Sequence, residues 1–168
     1  MIDLNNLNSV IYFAKLPHKL GDASMNKSYE GSATIKGKNY EVIKVPFNQE
    51  GGGTDFEDEY YYWVNKDTNL IDYLAYNYQT NGGGVRFRVA YNPGKVGGIY
   101  FQDYVNYKAE FGTALKELPQ LFEADSLKQL SLIETENIVQ LTKKFNPTRF
   151  SSFYSIVKGY FYTITNWK

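Results

Sequence analysis

Acidic side chains crowd the first of two glycine triplets. Glu50, Asp55, Glu57 and Asp58 surround Gly51-Gly52-Gly53, and hard oxygen ligands on a flexible loop are the chemistry that holds Ca²⁺. The spacing matches no EF-hand loop, and a solvated loop with capping carboxylates explains the same residues. Glu50, Asp55 and Asp58 therefore stand as an acidic loop with no metal assigned. His18, the single histidine, has the side chain of a general base. No Ser, Asp or Cys partner follows from its spacing, so no triad and no catalytic residue is placed. Arg86 and Arg88 lie two positions apart and share a strand face. That arrangement suits a bidentate grip on an anionic head group, with Asp103 or Asp72 nearby. It suits cross-strand ion pairing equally well. The aromatic rows that include Tyr61, Trp63, Tyr76 and Tyr104 can stack sugar rings, cover acyl chains or simply form core. Together with Arg86 and Arg88 they are the candidate ligand-binding residues.

The elements that must position these groups are strands. Residues 31–36 and 39–47 flank Gly37-Lys38 and read as a hairpin with a tight glycine-containing turn. Glu41, Ile43, Val45 and Phe47 share one face, and Pro46 places that end at an edge or bulge. Strands follow at 58–65, 70–80, 85–92 and 99–108, with turns at Asn81 to Gly84 and Pro93 to Gly98. Neither glycine triplet has the Gly-x-x-x-x-Gly-Lys-Ser/Thr pattern of a phosphate loop. Wide hairpin turns or flexible lips at a sheet's open end fit them better. Alternation sets Val85, Phe87, Val89 and Tyr91 against Arg86, Arg88 and Ala90. It sets Ile99, Phe101, Asp103, Val105 and Tyr107 against Tyr100, Gln102, Tyr104 and Asn106. Both faces then hold aromatic and polar groups. Such a mixture suits a curved sheet with one side filled by a helix, by more chain or by a ligand.

Helical signals are short. Residues 8–16 carry apolar positions behind an Asn8 or Ser9 cap and stop at Pro17. Residues 113–123 read as a short helix or helical turn broken by Pro119. Residues 126–139 fit a helix or a strand equally. The fold class is mainly β with an α+β character: a curved antiparallel meander, a short N-terminal helix and a short helix after the sheet.

Composition excludes several functions. The chain has 168 residues, one domain's length. Its 18 basic and 18 acidic residues cancel, so no basic stripe marks a nucleic-acid partner. Cysteine is absent, which removes disulfides, thiolate nucleophiles and cysteine zinc sites. No run reaches the ~18 apolar residues of a membrane-spanning helix, and the N-terminus lacks the pattern of a signal peptide. No cofactor is implied. The 16 tyrosines suit half-buried strand faces, with an apolar ring and a wet hydroxyl.

Specific motifs run through the sequence: LPHKL near the start, EGGGTDFED, WVNK, TNGGGVRFR and IYFQDYVNY. Over about residues 8–138 the chain resembles domain-of-unknown-function family 6503 of the Bacteroidetes. The resemblance implies a LolA-like half-barrel, the curved sheet of outer-membrane lipoprotein sorting. Such a sheet holds helices or lipid on its concave side. It implies a periplasmic or lipoprotein location in the cell envelope. It also implies more sheet and a signal ahead of Met1, so the chain reads as a truncated or frame-disrupted product. If the short form is the genuine product, its location is the cytoplasm. Residues 1–138 form the partial LolA-like domain, and 139–168 read as a divergent tail with no assigned role. An aldolase label that such families inherit finds no support, because a Schiff-base lysine in an α/β barrel is missing. The leading expectation is a non-catalytic binder of a lipid or other apolar small molecule on the concave aromatic face. The alternatives are a small hydrolase or lyase using the loop carboxylates with His18, and an adaptor using an exposed sheet edge.

Overall fold

The computed structural model describes residues 26–46, 59–79 and 82–140, together with the backbone of 155–157 and 160–162. The expected helix over 8–16, His18 and the acidic loop of Glu50, Asp55, Glu57 and Asp58 lie outside the described residues.

Seven strands form one curved, unclosed antiparallel sheet whose spatial order is the order of the chain. They are β1 (Ser28–Ile35), β2 (Lys38–Pro46), β3 (Glu59–Asn65), β4 (Ile71–Tyr78), β5 (Gly84–Val96), β6 (Ile99–Ala109) and β7 (Lys128–Ile133). A 3₁₀ turn, Leu115–Glu117, and one short helix, α1 (Leu118–Glu123), stand between β6 and β7. Two three-residue strands, β8 (Ser155–Val157) and β9 (Tyr160–Tyr162), pair as a separate sheet. Among the described residues no helix is long and apolar enough to cross a membrane.

Local chemistry explains most turns. Between β1 and β2 the turn falls on Lys36 and Gly37, one residue earlier than the sequence suggests. Both have positive φ, 47° and 75°, as a type I′ hairpin turn requires. The β5–β6 hairpin is longer than expected. Pro93 falls within the irregularity between the Tyr91 and Gly94 pairings, where its missing N–H costs no ladder bond. The strands then run on to a turn at Gly97 and Gly98. Asn65 closes the β3–β4 turn: its side-chain oxygen accepts the Asp67 and Thr68 amides, and its amide donates to Asp72. Residues 128–133, open to either period in the sequence, are a strand paired to β6.

One face of the sheet meets the helix. Tyr40, Val42, Tyr61, Trp63, Tyr73, Ala75, Val85 and Phe87 form a core with Leu115 and Leu118. The ring of Phe122 lies 5.5–5.9 Å from the rings of Tyr107, Phe87 and Tyr73. Pro119 does not break this helix. It occupies the first turn, where a fixed φ is pre-organised and no amide partner is needed. Glu123 reaches back to accept the Lys36 backbone amide, and Lys36 Nζ lies 4.2 Å from the centre of the Phe122 ring. The helix is thereby tied to the first hairpin.

Leu118 is fully buried in this core. Leu118→Ala is expected to cost about 3 kcal/mol through lost transfer energy and the cavity left behind. Urea unfolding checks this; a loss under about 1 kcal/mol would mean that the helix contributes little to the core.

Candidate functional site

The opposite face carries the tyrosines and arginines, and its residues follow from register. One cross-strand row reads Val45, Tyr60, Tyr76, Arg86, Lys108 and Lys128, from β2 to β7. The row beside it reads Ile43, Tyr62, Leu74, Arg88, Asn106 and Ser131. The next pairs Ala90 with Tyr104 and Tyr104 with Ile133. Val45, Tyr62, Ile71, Leu74, Tyr104 and Ile133 are buried together. Tyr60, Tyr76, Tyr78 and Arg86 are only half-buried.

The tyrosine rings form a ladder. Tyr60 stacks on Tyr76 at 5.4 Å and on Tyr62 at 6.3 Å, each pair within 13° of parallel. Tyr78 continues it 6.2 Å from Tyr76. Each arginine lies over a ring and donates to a hydroxyl. Arg86 sits 5.1 Å from the Tyr78 centroid and donates to Tyr78 Oη at 2.5 Å. Arg88 sits 5.3 Å from the Tyr76 centroid and donates to Tyr76 Oη at 3.0 Å. Cation–π attraction of this kind is strongest where water is excluded, and Arg88 is only 4% exposed.

Of the six residues singled out by sequence, four converge here: Tyr76, Arg86, Arg88 and Tyr104. Tyr61 and Trp63 do not join them. They point to the helix-covered face, where Trp63 meets Phe87 edge-on at 5.8 Å. Strand alternation separates the groups, since Tyr62 lies between Tyr61 and Trp63 and faces the other way. Neither Asp103 nor Asp72 pairs with the arginines through a described bond. Asp103 accepts Asn92 Nδ2 and the Thr135 amide and hydroxyl. Asp72, in the bulge between the Trp63–Tyr73 and Val64–Ile71 pairs, accepts Tyr40 Oη and Asn65 Nδ2. Tyr60, Tyr78, Lys108 and Lys128 complete the face, and the sequence reading did not single them out. Their signal was the register across strands, which single-strand alternation does not contain.

Burial pushes the Tyr104 hydroxyl up to about 12, against the opposing pull of Arg88. Among the described residues no cluster of three or more His, Cys, Asp or Glu could hold a metal. A cleft of about 190 Å³ lies on the β1–β2 hairpin, lined by Ser32, Ala33, Thr34, Asn39 and Lys66. It is polar, apart from the tyrosine ladder, and smaller than the few hundred Å³ of typical small-molecule sites.

A profile described as a family of unknown function, DUF6503, matches residues 1–135. The chain belongs to this family. The DUF6503 match spans all seven strands of the main sheet and therefore both faces described above. No curated protein and no solved structure matches the chain.

Two outcomes follow from the site's geometry. The neutral form of Tyr104 is favoured in the fold, so its contribution is complete below the unfolded value near 10. It is lost as pH rises from about 10 to about 12. Urea unfolding at pH 9 and pH 11 should show part of the alkaline loss disappear in Tyr104→Phe. Gly84 admits the Tyr78–Arg86 pair, since a Cβ there would lie 2.7 Å from Tyr78 Oη and 2.9 Å from Arg86 Nη1. Gly84→Ala should break that hydrogen bond at about 1 kcal/mol. In a double-mutant cycle the loss should shrink in the Arg86→Ala background.

Proposed function

We propose that the chain is a non-catalytic binding module of the cell envelope. It holds a lipid or other apolar ligand against the tyrosine-bearing face of the sheet. The observation that carries this reading is the division of labour between the two faces. One aromatic face is packed by α1 into core. The other holds a second buried cluster around Tyr62, Leu74 and Tyr104 and, beside it, stacked, half-buried tyrosines with Arg86 and the buried Arg88. Amphipathic rings with hydroxyls at their tips suit a surface that meets an apolar body on one side and water on the other. The curved, unclosed sheet with a helix on one face is compatible with the LolA-like half-barrel that the sequence motifs imply, and the envelope location comes from that resemblance.

A second reading, an assembly protein, is favoured by the sheet's outer edge. Leu130 and Leu132 of β7 are 44% and 42% exposed, and an open edge with apolar side chains is a template for pairing with another chain.

Delipidated protein titrated with a fluorescent fatty acid is expected to bind it, and Tyr76→Ala to weaken uptake about tenfold, the loss of one aromatic contact. Absence of uptake, with no lipid in the protein extracted from cells, would remove the binding reading. Self-association that grows with concentration at unchanged lipid content would favour the edge instead.

A further inference from the structure

We infer that the ligand of this face is a long-chain amphiphile with a carboxylate head, received by Arg86, Lys108 and Lys128. The inference rests on the binding reading above and narrows it to one class.

The register places these three cations as consecutive partners. Arg86 is directly opposite Lys108, and Lys108 is directly opposite Lys128. Like charges directly opposite one another destabilise a sheet. Elsewhere the sheet avoids this: Lys44 pairs with Glu59 and Lys66 with Glu41 across the strands. Among the described residues no ion pair engages Arg86, Lys108 or Lys128. A row of cations maintained against local repulsion is the kind of conflict that functional sites show.

The same row continues into apolar surface. Next to Arg86 come Tyr76 and then Tyr60, stacked and half-buried. Arg86 is oriented by Tyr78 Oη and the Val85 carbonyl, bonds that use two of the five guanidinium protons. Further donors are available to a carboxylate. One line across the sheet thus runs from cationic to aromatic, the charge pattern of an anionic head followed by an apolar chain. Lys108 and Lys128 are exposed, so the head would sit where water still reaches the outer part of the site.

The test uses the full chain at low ionic strength, with cis-parinaric acid and its methyl ester as fluorescent probes. The acid should bind about tenfold more tightly than the ester, the effect of one charge-assisted contact. Lys108→Gln combined with Lys128→Gln should lower the ratio toward the share that Arg86 alone supplies while the ester's affinity is unchanged, and an unchanged ratio would overturn the role of the two lysines. Unchanged ester binding also shows that the variant folds. Equal binding of acid and ester by the wild type would overturn the head-group inference and leave the binding of an apolar ligand standing. Uptake of neither probe would overturn both.

Discussion

The fold depends on one contact set, the insertion of Phe122 among Tyr73, Phe87 and Tyr107. A meander sheet with aromatic side chains on both faces has no intrinsic inside. The short helix covers one face, while the other keeps a buried cluster of Val45, Tyr62, Ile71, Leu74, Tyr104 and Ile133. Once Leu118 and Phe122 occupy the helix-covered face, Tyr61 and Trp63 become core. The opposite face is left to carry Tyr60, Tyr76 and Tyr78 with their arginines. Because side chains alternate strictly along a strand, a slip of one residue in any strand would exchange its two sets. The bulges beside Tyr29 and Trp63 and the Lys36-Gly37 turn help hold that register.

Much of this architecture was legible in the sequence. Alternation located β2 to β6 within a few residues and sorted the residues of β5 and β6 onto the correct faces. The helix after β6 is also legible, although Pro119 reads from the sequence as its break. A proline that ends a helix and one that begins it differ only in which side the helical residues lie. Residues 128–133 stay open in the sequence because Leu127, Leu130, Ile133 and Ile138 do not decide between the periods, and pairing with β6 makes them strand. The candidate site was only half legible. Alternation assigns Arg86 and Arg88 to one face but leaves their partner open between an anionic ligand and a cross-strand carboxylate. The hydrogen bonds described for them run to tyrosine hydroxyls and, from Arg86, also to the Val85 carbonyl. Which tyrosine lies beside which arginine is a matter of cross-strand register, and register emerges only when strands are aligned.

The polar groups inside the sheet show a consistent logic. Asp72 and Asp103 are not loose charges. Asp72 accepts two hydrogen bonds beside the β3–β4 turn, from the Tyr40 and Asn65 side chains, and Asp103 accepts three between the β5 irregularity and the segment after β7. Buried polar atoms are tolerated where such bonds satisfy them. This explains why two acids suitable for ion pairing are used to fix loops, while the arginines rest on aromatic rings.

The bond from the Lys36 amide to Glu123 joins residues 87 positions apart. The strands pair only with their immediate neighbours, so a sheet of this order could in principle form by successive zipping from either end. The Lys36–Glu123 clasp changes that. The helix, made late in the chain, closes over the earliest hairpin and couples the two extremes of the meander into one cooperative unit. A contact of such long range also delays the final step of folding, because its loop must close before its packing energy is gained. Until the clasp forms, a partly zipped sheet would expose an aromatic face to other chains during synthesis. The helix is therefore as much a device of folding order as a piece of the core.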